Sequence, residues 1–203
     1  MSKKLTIEAF KNGPFKVTHL KSLSFAGQSL EPAEEVFLCR CGETSTPPYC
    51  DGTHKKVGFD GSASQTEPKP LKVWQGKGIS TTFDPNICTH VLYCRPLDEL
   101  RLREPEDNTQ ATAAEIAQVV MNCPSGALRF EAKEEILPPP QRIKSPALEI
   151  FEGAEIRVHQ EYEALGFELR PGQPNNRSAL CRCGRSKNKP FCNGAHVAKK
   201  DFK

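Results

Sequence analysis

The alternation of apolar and polar residues predicts short strands near both ends of the chain. Residues 14–19 (PFKVTH) and 155–160 (EIRVHQ) alternate in this way, as half-buried strands do. Two stretches, 60–69 and 133–146, are rich in Gly, Ser or Pro and poor in core residues, and we interpret both as connectors. The pattern therefore predicts three compact segments, at residues 1–62, 70–133 and 143–203.

The central segment has its own pattern, which predicts a strand, a helix and a second strand. The strands are expected around residues 77–82 and 127–130, and the helix over 113–121. Thr112 and Glu115 fit a capping box at the start of this helix. The sequence thus predicts an α+β protein in which small β-rich modules surround an α+β insertion.

Composition supports several small modules rather than one large core. Of the 203 residues, 37% are hydrophobic, 17 are proline and 14 are glycine, which makes one continuous core hard to assemble. A net charge of +3 is too small to predict nucleic-acid or membrane binding, and no run approaches the ~20 apolar residues of a membrane span. We expect a cytoplasmic protein with neither nucleic acid nor membrane as a partner.

The cysteines indicate metal binding in a reducing compartment. Their number, nine, is odd, and their spacing falls into three groups, which is atypical of a disulfide framework. The first and last groups belong to a repeat, because residues 39–54 (CRCGETSTPPYCDGTH) and 181–196 (CRCGRSKNKPFCNGAH) align without a gap. The predicted ligands are Cys39, Cys41, Cys50 and His54 in the first copy and Cys181, Cys183, Cys192 and His196 in the second.

The ligand types alone leave two metal centres open. Three thiolates and an imidazole suit zinc and iron–sulfur equally well. Structural zinc sites typically place two to four residues between the first two cysteines, whereas one arginine intervenes here, and this spacing favours iron–sulfur. After the third cysteine, Asp51 or Asn193 can cap a helix starting at the following Gly52 or Gly194, with the histidine in its first turn.

Both copies resemble the CDGSH iron–sulfur domain family. The first copy fits the family pattern throughout, and the second departs from it at one position, where asparagine replaces aspartate. The matching residues besides the ligands are Thr44, Pro48, Asp51, Gly52 and Thr53, and Ser186, Pro190, Gly194 and Ala195.

The resemblance implies a 2Fe–2S cluster in each copy. It places the first two cysteines of a copy on one iron and the third cysteine with the histidine on the other. A neutral imidazole in place of a thiolate is expected to raise the reduction potential and to make the site sensitive to acid. Because family members commonly pair two such units, the tandem copies are expected to form an internal pseudo-dimer.

The central cysteines resemble a divergent ferredoxin-like domain with one cluster. Cys88, Cys94 and Cys123 stand in the contexts CTHVLYC and CPSGAL, with Val91 where a further ligand is usual. Three thiolates suit a 3Fe–4S cluster, or a 4Fe–4S cluster with an outside fourth ligand, for which His90 is a candidate. The alternative is that these cysteines are small buried side chains in a domain that lost its cluster.

These features predict an electron-transfer protein rather than an enzyme. No phosphate-binding loop, nucleophile elbow or paired-carboxylate arrangement is present in the sequence. The expected partner is a redox protein, and basic residues near the second motif, among them Arg182, are interpreted as balancing cluster charge. One alternative is a labile cluster donor, acting on apo-proteins, or an iron and redox sensor. Another is a zinc-bound interaction module.

Overall fold

The computed structural model describes residues 3–62, 67–76, 78–95, 110–135, 141–142 and 144–198 of the chain. Parts of both predicted connectors, at 63–66, 136–140 and 143, and Lys77 of a predicted strand lie outside the described residues. The described part is mostly β. Its strands are β1 (Leu5–Ala9), β2 (Phe15–Thr18), β3 (Leu23–Phe25), β4 (Gln28–Leu30), β5 (Glu35–Leu38), β6 (Lys72–Gln75), β7 (Ile79–Phe83), β8 (Leu128–Ala132), β9 (Leu148–Ile150), β10 (Ile156–Val158), β11 (Tyr162–Leu165) and β12 (Ser178–Leu180). The helices are α1 (Thr53–Lys56), α2 (Gln110–Met121) and the 3-10 helix Ala195–Ala198.

Two sheets combine strands from both ends of the chain. The four-stranded sheet has the order β11-β1-β2-β5, and β1 pairs in parallel with β11 from the C-terminal end, with Leu5 opposite Tyr162. The five-stranded sheet has the order β12-β10-β9-β3-β4, and the N-terminal strand β3 pairs in parallel with β9, with Leu23 opposite Leu148. Each terminal segment therefore donates strands to the sheet of the other.

The two strands predicted from alternation are present, but they differ in burial. In β2, Phe15 and Val17 are buried and their neighbours are half-buried, as the pattern predicts. In β10, Arg157 is buried along with Ile156 and Val158, so the prediction of a half-buried strand is wrong there. The reason is tertiary, because Arg157 pairs with the buried Glu155 and packs against the rings of Phe151 and Tyr93.

The central segment contains a third sheet and the longest described helix. Strands β6, β7 and β8 form an antiparallel sheet in that order. Helix α2 begins at Gln110 rather than at 113, so Thr112 lies inside it and the predicted capping box is wrong. Ile116, Ala117 and Val120 of α2 are fully buried and form its apolar face.

Buried apolar side chains from all three segments form one hydrophobic cluster. The N-terminal segment contributes residues such as Phe15, the central segment Ile116 and the C-terminal segment Leu148. In the described part of the chain, no helix is both long enough and apolar enough to cross a membrane.

A buried ion pair ties the central segment to the C-terminal segment. Arg170 Nε donates to Asp84 Oδ2 over 2.6 Å, and the Asp84 side chain is 2% exposed. Burial by itself raises the pKa of Asp84, but hydrogen bonds from Arg170 and Asn86 outweigh burial and leave this pKa below its usual value. Arg177 adds to the connection by donating to the carbonyls of Met121 and Leu128.

We predict that Arg170→Ala lowers the free energy of unfolding by about 3 kcal/mol, because it leaves the buried Asp84 carboxylate without its cation. The matched control is Lys4→Ala, which breaks the exposed pair with Glu161 at 3.7 Å and should cost less than about 1 kcal/mol. Urea unfolding followed by circular dichroism measures both losses. Equal losses would contradict the role given to the buried pair.

The same pair gives a pH dependence with a definite sign. A carboxylate whose pKa is lowered on folding stabilises the protein above its unfolded-state pKa, and this contribution disappears as the pH falls through the folded-state value. The difference between wild type and Arg170→Ala should therefore shrink in acid.

Candidate metal centres

The first motif begins where strand β5 ends. Leu38, the last residue of β5, forms a bridge with Tyr49, which folds the ligand loop back on itself. Cys39 and Cys41 lie at the start of this loop, with 3.6 Å between their sulfurs. Cys50 follows the returning chain, and α1 brings His54 Nδ1 to 3.3 Å from the Cys50 sulfur.

The second motif repeats this construction after strand β12. Leu180, the last residue of β12, forms the equivalent bridge with Phe191. The sulfurs of Cys181 and Cys183 are 3.9 Å apart. His196 Nδ1 lies 3.4 Å from the Cys192 sulfur. The structure thus brings the four predicted ligands of each copy together as two close pairs.

The pair distances fit tetrahedral metal ions. Metal–sulfur bonds of ~2.3 Å and metal–nitrogen bonds of ~2.0 Å place two ligands of one tetrahedral ion about 3.5–3.8 Å apart. Each pair therefore suits one ion. Within the part of the chain that is described, no three predicted ligands of either copy have their ligand atoms within 4.8 Å of one another. A single tetrahedral zinc would need all four ligand atoms that close to one another.

Polar side chains fix each loop from within. Thr44 Oγ1 donates to the Tyr49 carbonyl at 2.7 Å, and Ser186 Oγ donates to the Phe191 carbonyl at 2.6 Å. These hydroxyls connect the two sides of the loop at the same place in both copies.

The aspartate of the first motif makes more hydrogen bonds than the asparagine of the second. Asp51 accepts from the backbone N–H and hydroxyl of Ser45 and from Thr53 N–H, and these hydrogen bonds lower its pKa. Asn193 accepts from Ala195 N–H at 3.2 Å. Helix α1 starts at Thr53 rather than at the predicted Gly52, because Gly52 adopts a left-handed conformation with φ 86°.

In each motif, the arginine between the first two cysteines is buried, which the sequence did not predict. Arg40 is 4% exposed and donates to the carbonyls of Phe10 and Gly61. Arg182 is 1% exposed and donates to the carbonyls of Ala154 and Phe151.

The charges of these arginines face the thiols of both copies. Burial lowers the pKa of Arg40 to about 10, and the thiolate of Cys181, in the other copy, acts in the opposite direction. Burial likewise lowers the pKa of Arg182, against the thiolates of Cys39 and Cys183. The buried cations therefore lie where they can balance thiolate charge across both motifs.

The two ligand loops meet backbone to backbone. A Cβ atom at Gly42 would lie 2.8 Å from the Cys183 carbonyl oxygen, and one at Gly184 would lie 2.7 Å from the Cys41 carbonyl oxygen. Both glycines have positive φ angles, 76° and 74°. Only glycine meets the conformational and the steric demand together.

An acidic residue that sequence reasoning missed lies at the second motif. Glu155 is 1% exposed, and its Oε2 is 3.5 Å from His196 Nε2. The ligand atoms of Glu155, Cys192 and His196 all lie within 4.8 Å of one another. The sequence signal was a charged residue directly before the buried strand β10, at a place where the first copy has Pro14.

The three central cysteines line one pocket. Cys88, Cys94 and Cys123 share it with His90, whose Nδ1 lies 3.8 Å from the Cys88 sulfur. Burial raises the pKa of the Cys88 thiol. This pocket adjoins the second motif, since a Cβ atom at Gly194 would lie 3.1 Å from the Thr89 carbonyl oxygen. None of the nine cysteines forms a disulfide.

Comparison with known families matches all three regions. A family model described as iron-binding zinc finger CDGSH type matches residues 12–55 and 147–197. A model described as divergent 4Fe-4S mono-cluster matches residues 74–133. No curated protein and no solved structure matches the chain. The chain is therefore an iron–sulfur protein in which two CDGSH-type domains flank a divergent 4Fe-4S mono-cluster domain.

Proposed function

We propose that this protein is an electron carrier with a 2Fe–2S cluster in each CDGSH-type motif and a 4Fe–4S or 3Fe–4S cluster in a ferredoxin-like central domain. The observation that carries the proposal is the division of each ligand set into two close pairs. Cys39 and Cys41 would hold one iron, and Cys50 and His54 the other. Cys181 and Cys183, and Cys192 and His196, would do the same in the second motif.

A bound 2Fe–2S cluster would supply reversible uptake of one electron. The protein contributes a mixed ligand set, because Nδ1 of each histidine lies beside a cysteine sulfur and the two atoms would bind the same iron. Imidazole is neutral, so it leaves the site less negative than a fourth thiolate would. A proton that binds Nδ1 competes with iron for the same lone pair, which makes retention of the metal depend on pH.

The contacts between the three ligand sets favour a carrier. The Gly42 and Gly184 contacts join the two terminal loops, and the Gly194 contact joins the second loop to the pocket of the central cysteines. Closely spaced redox centres suit electron transfer through one molecule. This arrangement would have no evident use in a protein that served only to hold separate zinc ions.

We also propose that the terminal copies act as an internal pseudo-dimer and that the partner is a redox protein. Exchange of β11 and of the β3–β4 hairpin between the two sheets supports the first point. The absence of disulfides among the nine cysteines is consistent with a reducing compartment, and we propose that the protein is cytoplasmic.

A second candidate function is a labile cluster donor or sensor. One observation favours it, namely that His54 is half-buried whereas His196 is 8% exposed. Water reaches the first motif more readily, and its iron would be the more easily released. A carrier keeps its clusters through repeated reduction and oxidation, whereas a donor loses them to an acceptor protein.

Anaerobically purified protein should contain about two iron and two sulfide per terminal motif and absorb visible light. The double variant His54→Cys with His196→Cys should have a shifted spectrum that persists to lower pH. The reason is that a thiolate ligand replaces the imidazole nitrogen for which protons compete with iron. Iron, sulfide and zinc analysis with an acid titration measures this. A colourless protein with stoichiometric zinc would refute the redox function.

Replacing Cys88, Cys94 and Cys123 together by serine should remove about three to four iron and leave the iron of the terminal motifs in place. The matched variant is His90→Ala, which should retain the central iron if the three thiolates hold the cluster without it. Iron analysis with electron paramagnetic resonance (EPR) checks both. Equal iron in wild type and the triple variant would mean that these cysteines are only buried side chains.

Gly42→Ala should be markedly more destabilising than Gly27→Ala. Both positions have positive φ, 76° and 79°, so alanine costs about 1–2 kcal/mol at either. A Cβ atom at Gly27 meets nothing within 4 Å, whereas one at Gly42 meets the Cys183 backbone, and overpacking adds about 1–3 kcal/mol. Urea unfolding provides the measurement. Equal costs would argue against tight pairing of the two loops.

A further inference from the structure

Glu155 is a buried carboxylate, and one of its two oxygens lacks a hydrogen bond. It lies directly before β10, where its Oε1 accepts from Arg157 Nε at 2.7 Å. Its Oε2 has no hydrogen-bond partner, although its side chain is fully buried. An unsatisfied buried carboxylate oxygen is costly, and each such atom in a folded protein requires an explanation.

The unsatisfied oxygen faces a predicted metal ligand. His196 Nε2 is 3.5 Å away, at the outer limit of a hydrogen bond. Nδ1 of the same ring lies beside the Cys192 sulfur, so the two ring nitrogens face different groups. With Nδ1 bound to a metal, the neutral imidazole carries its proton on Nε2, where Glu155 Oε2 can accept it.

Arg157 holds the carboxylate in place. Its guanidinium lies 4.4 Å from the centre of the Phe151 ring and 6.0 Å from that of Tyr93, in the central segment. Arg157 is 8% exposed, so this support is itself buried. Glu155 is therefore fixed by one oxygen while the other remains directed at the histidine.

The first motif has no equivalent group. Phe15 pairs with Leu38 and Ile156 with Leu180, and both leucines directly precede the first cysteine of a motif. The position before Phe15 is Pro14, which corresponds to Glu155 and has no acidic side chain. Among the residues described, the group of possible ligands that contains a carboxylate occurs at His196 and not at His54.

We propose that Glu155 is a positioning residue for His196, accepting a hydrogen bond from Nε2 so that Nδ1 is oriented toward the metal, and that the two CDGSH-type sites consequently differ in reduction potential. The proposal rests on the proposed function, since it requires a cluster at the second motif. Metal-binding histidines commonly donate their second N–H to a carboxylate, which fixes the ring and makes the ligand nitrogen more basic.

The charge of Glu155 sets the direction of the difference. A carboxylate near a redox centre disfavours the added electron, and net charge and hydrogen bonding are main determinants of cluster potentials. Glu155 should therefore lower the reduction potential of the second site below the value that the same site has without this charge. Its cluster should also be the better retained, because removal of such supporting groups typically weakens metal binding ~10–100-fold.

The test is an EPR-monitored redox titration at constant pH of the full chain as wild type, Glu155→Gln and Glu152→Gln. Glutamine keeps the shape of Glu155 and an oxygen for Arg157 but removes the charge. We expect Glu155→Gln to raise the reduction potential of one terminal centre by at least about 59 mV. For one electron, this shift is a tenfold change in the equilibrium constant of reduction. Glu152, three residues before Glu155, is exposed to solvent, which screens its charge, so Glu152→Gln should change either potential by much less.

Histidine variants assign the effect to one site. In the His54→Cys background the full shift should persist, whereas in the His196→Cys background it should fall to less than half, because Glu155 no longer has an imidazole to orient. A shift of equal size in both backgrounds, a shift of both centres, or no shift would overturn the proposal.

A second measurement needs no change at Glu155. Each single variant, His54→Cys or His196→Cys, leaves one of the two predicted ligand imidazoles in place. Pulsed EPR should detect a coupling for Nε2 of His196 in the first variant that differs from the coupling for Nε2 of His54 in the second. Equal couplings would refute the proposal. If wild type holds no iron–sulfur cluster, the proposed function fails as well, whereas iron–sulfur clusters with an unchanged potential in Glu155→Gln refute the positioning role alone.

Discussion

The contact between the two ligand loops is the constraint on which the rest of this structure depends. Gly42 and Gly184 place each loop against the backbone of the other, at a distance that no side chain would permit. The sheets follow from the same closeness, because β11 and the β3–β4 hairpin pair with strands of the opposite copy. Both motifs are therefore parts of one unit, and neither has a complete sheet without the other.

This closeness concentrates buried charge. Six predicted thiolate ligands lie in the two adjoining motifs, and Arg40 and Arg182 are buried among them instead of reaching solvent. Arginine suits this position, because its charge persists after burial and its several N–H groups are satisfied by backbone carbonyls. A surface role for Arg182 in binding a partner is thus excluded by its 1% exposure, and charge balance is the reading that the structure supports.

The two motifs are similar in ligands and different in surroundings. Asp51 accepts hydrogen bonds from Ser45 and Thr53 where Asn193 accepts from Ala195, and His54 is half-buried where His196 is enclosed beside Glu155. The second motif also touches the central segment through Gly194 and Thr89. The ligand pattern is therefore repeated while the residues around it have diverged, and under the proposed function this divergence would give the two centres unequal reduction potentials.

The sequence alone determined the repeat, the candidate ligands, the two alternating strands and the helical turns that carry the histidines, because ligand spacing and strand alternation depend on neighbouring residues. It did not predict β5 and β12, the strands that precede the ligand loops. It misplaced the start of α2, since the capping signal at Thr112 and Glu115 is local and the helix extends past it. Tertiary structure alone decided the burial of Arg157, the exchange of strands, and the meeting of Glu155 with His196. These depend on which distant segments pack together, and a charged residue in a sequence does not reveal whether its partner will be water or a buried imidazole.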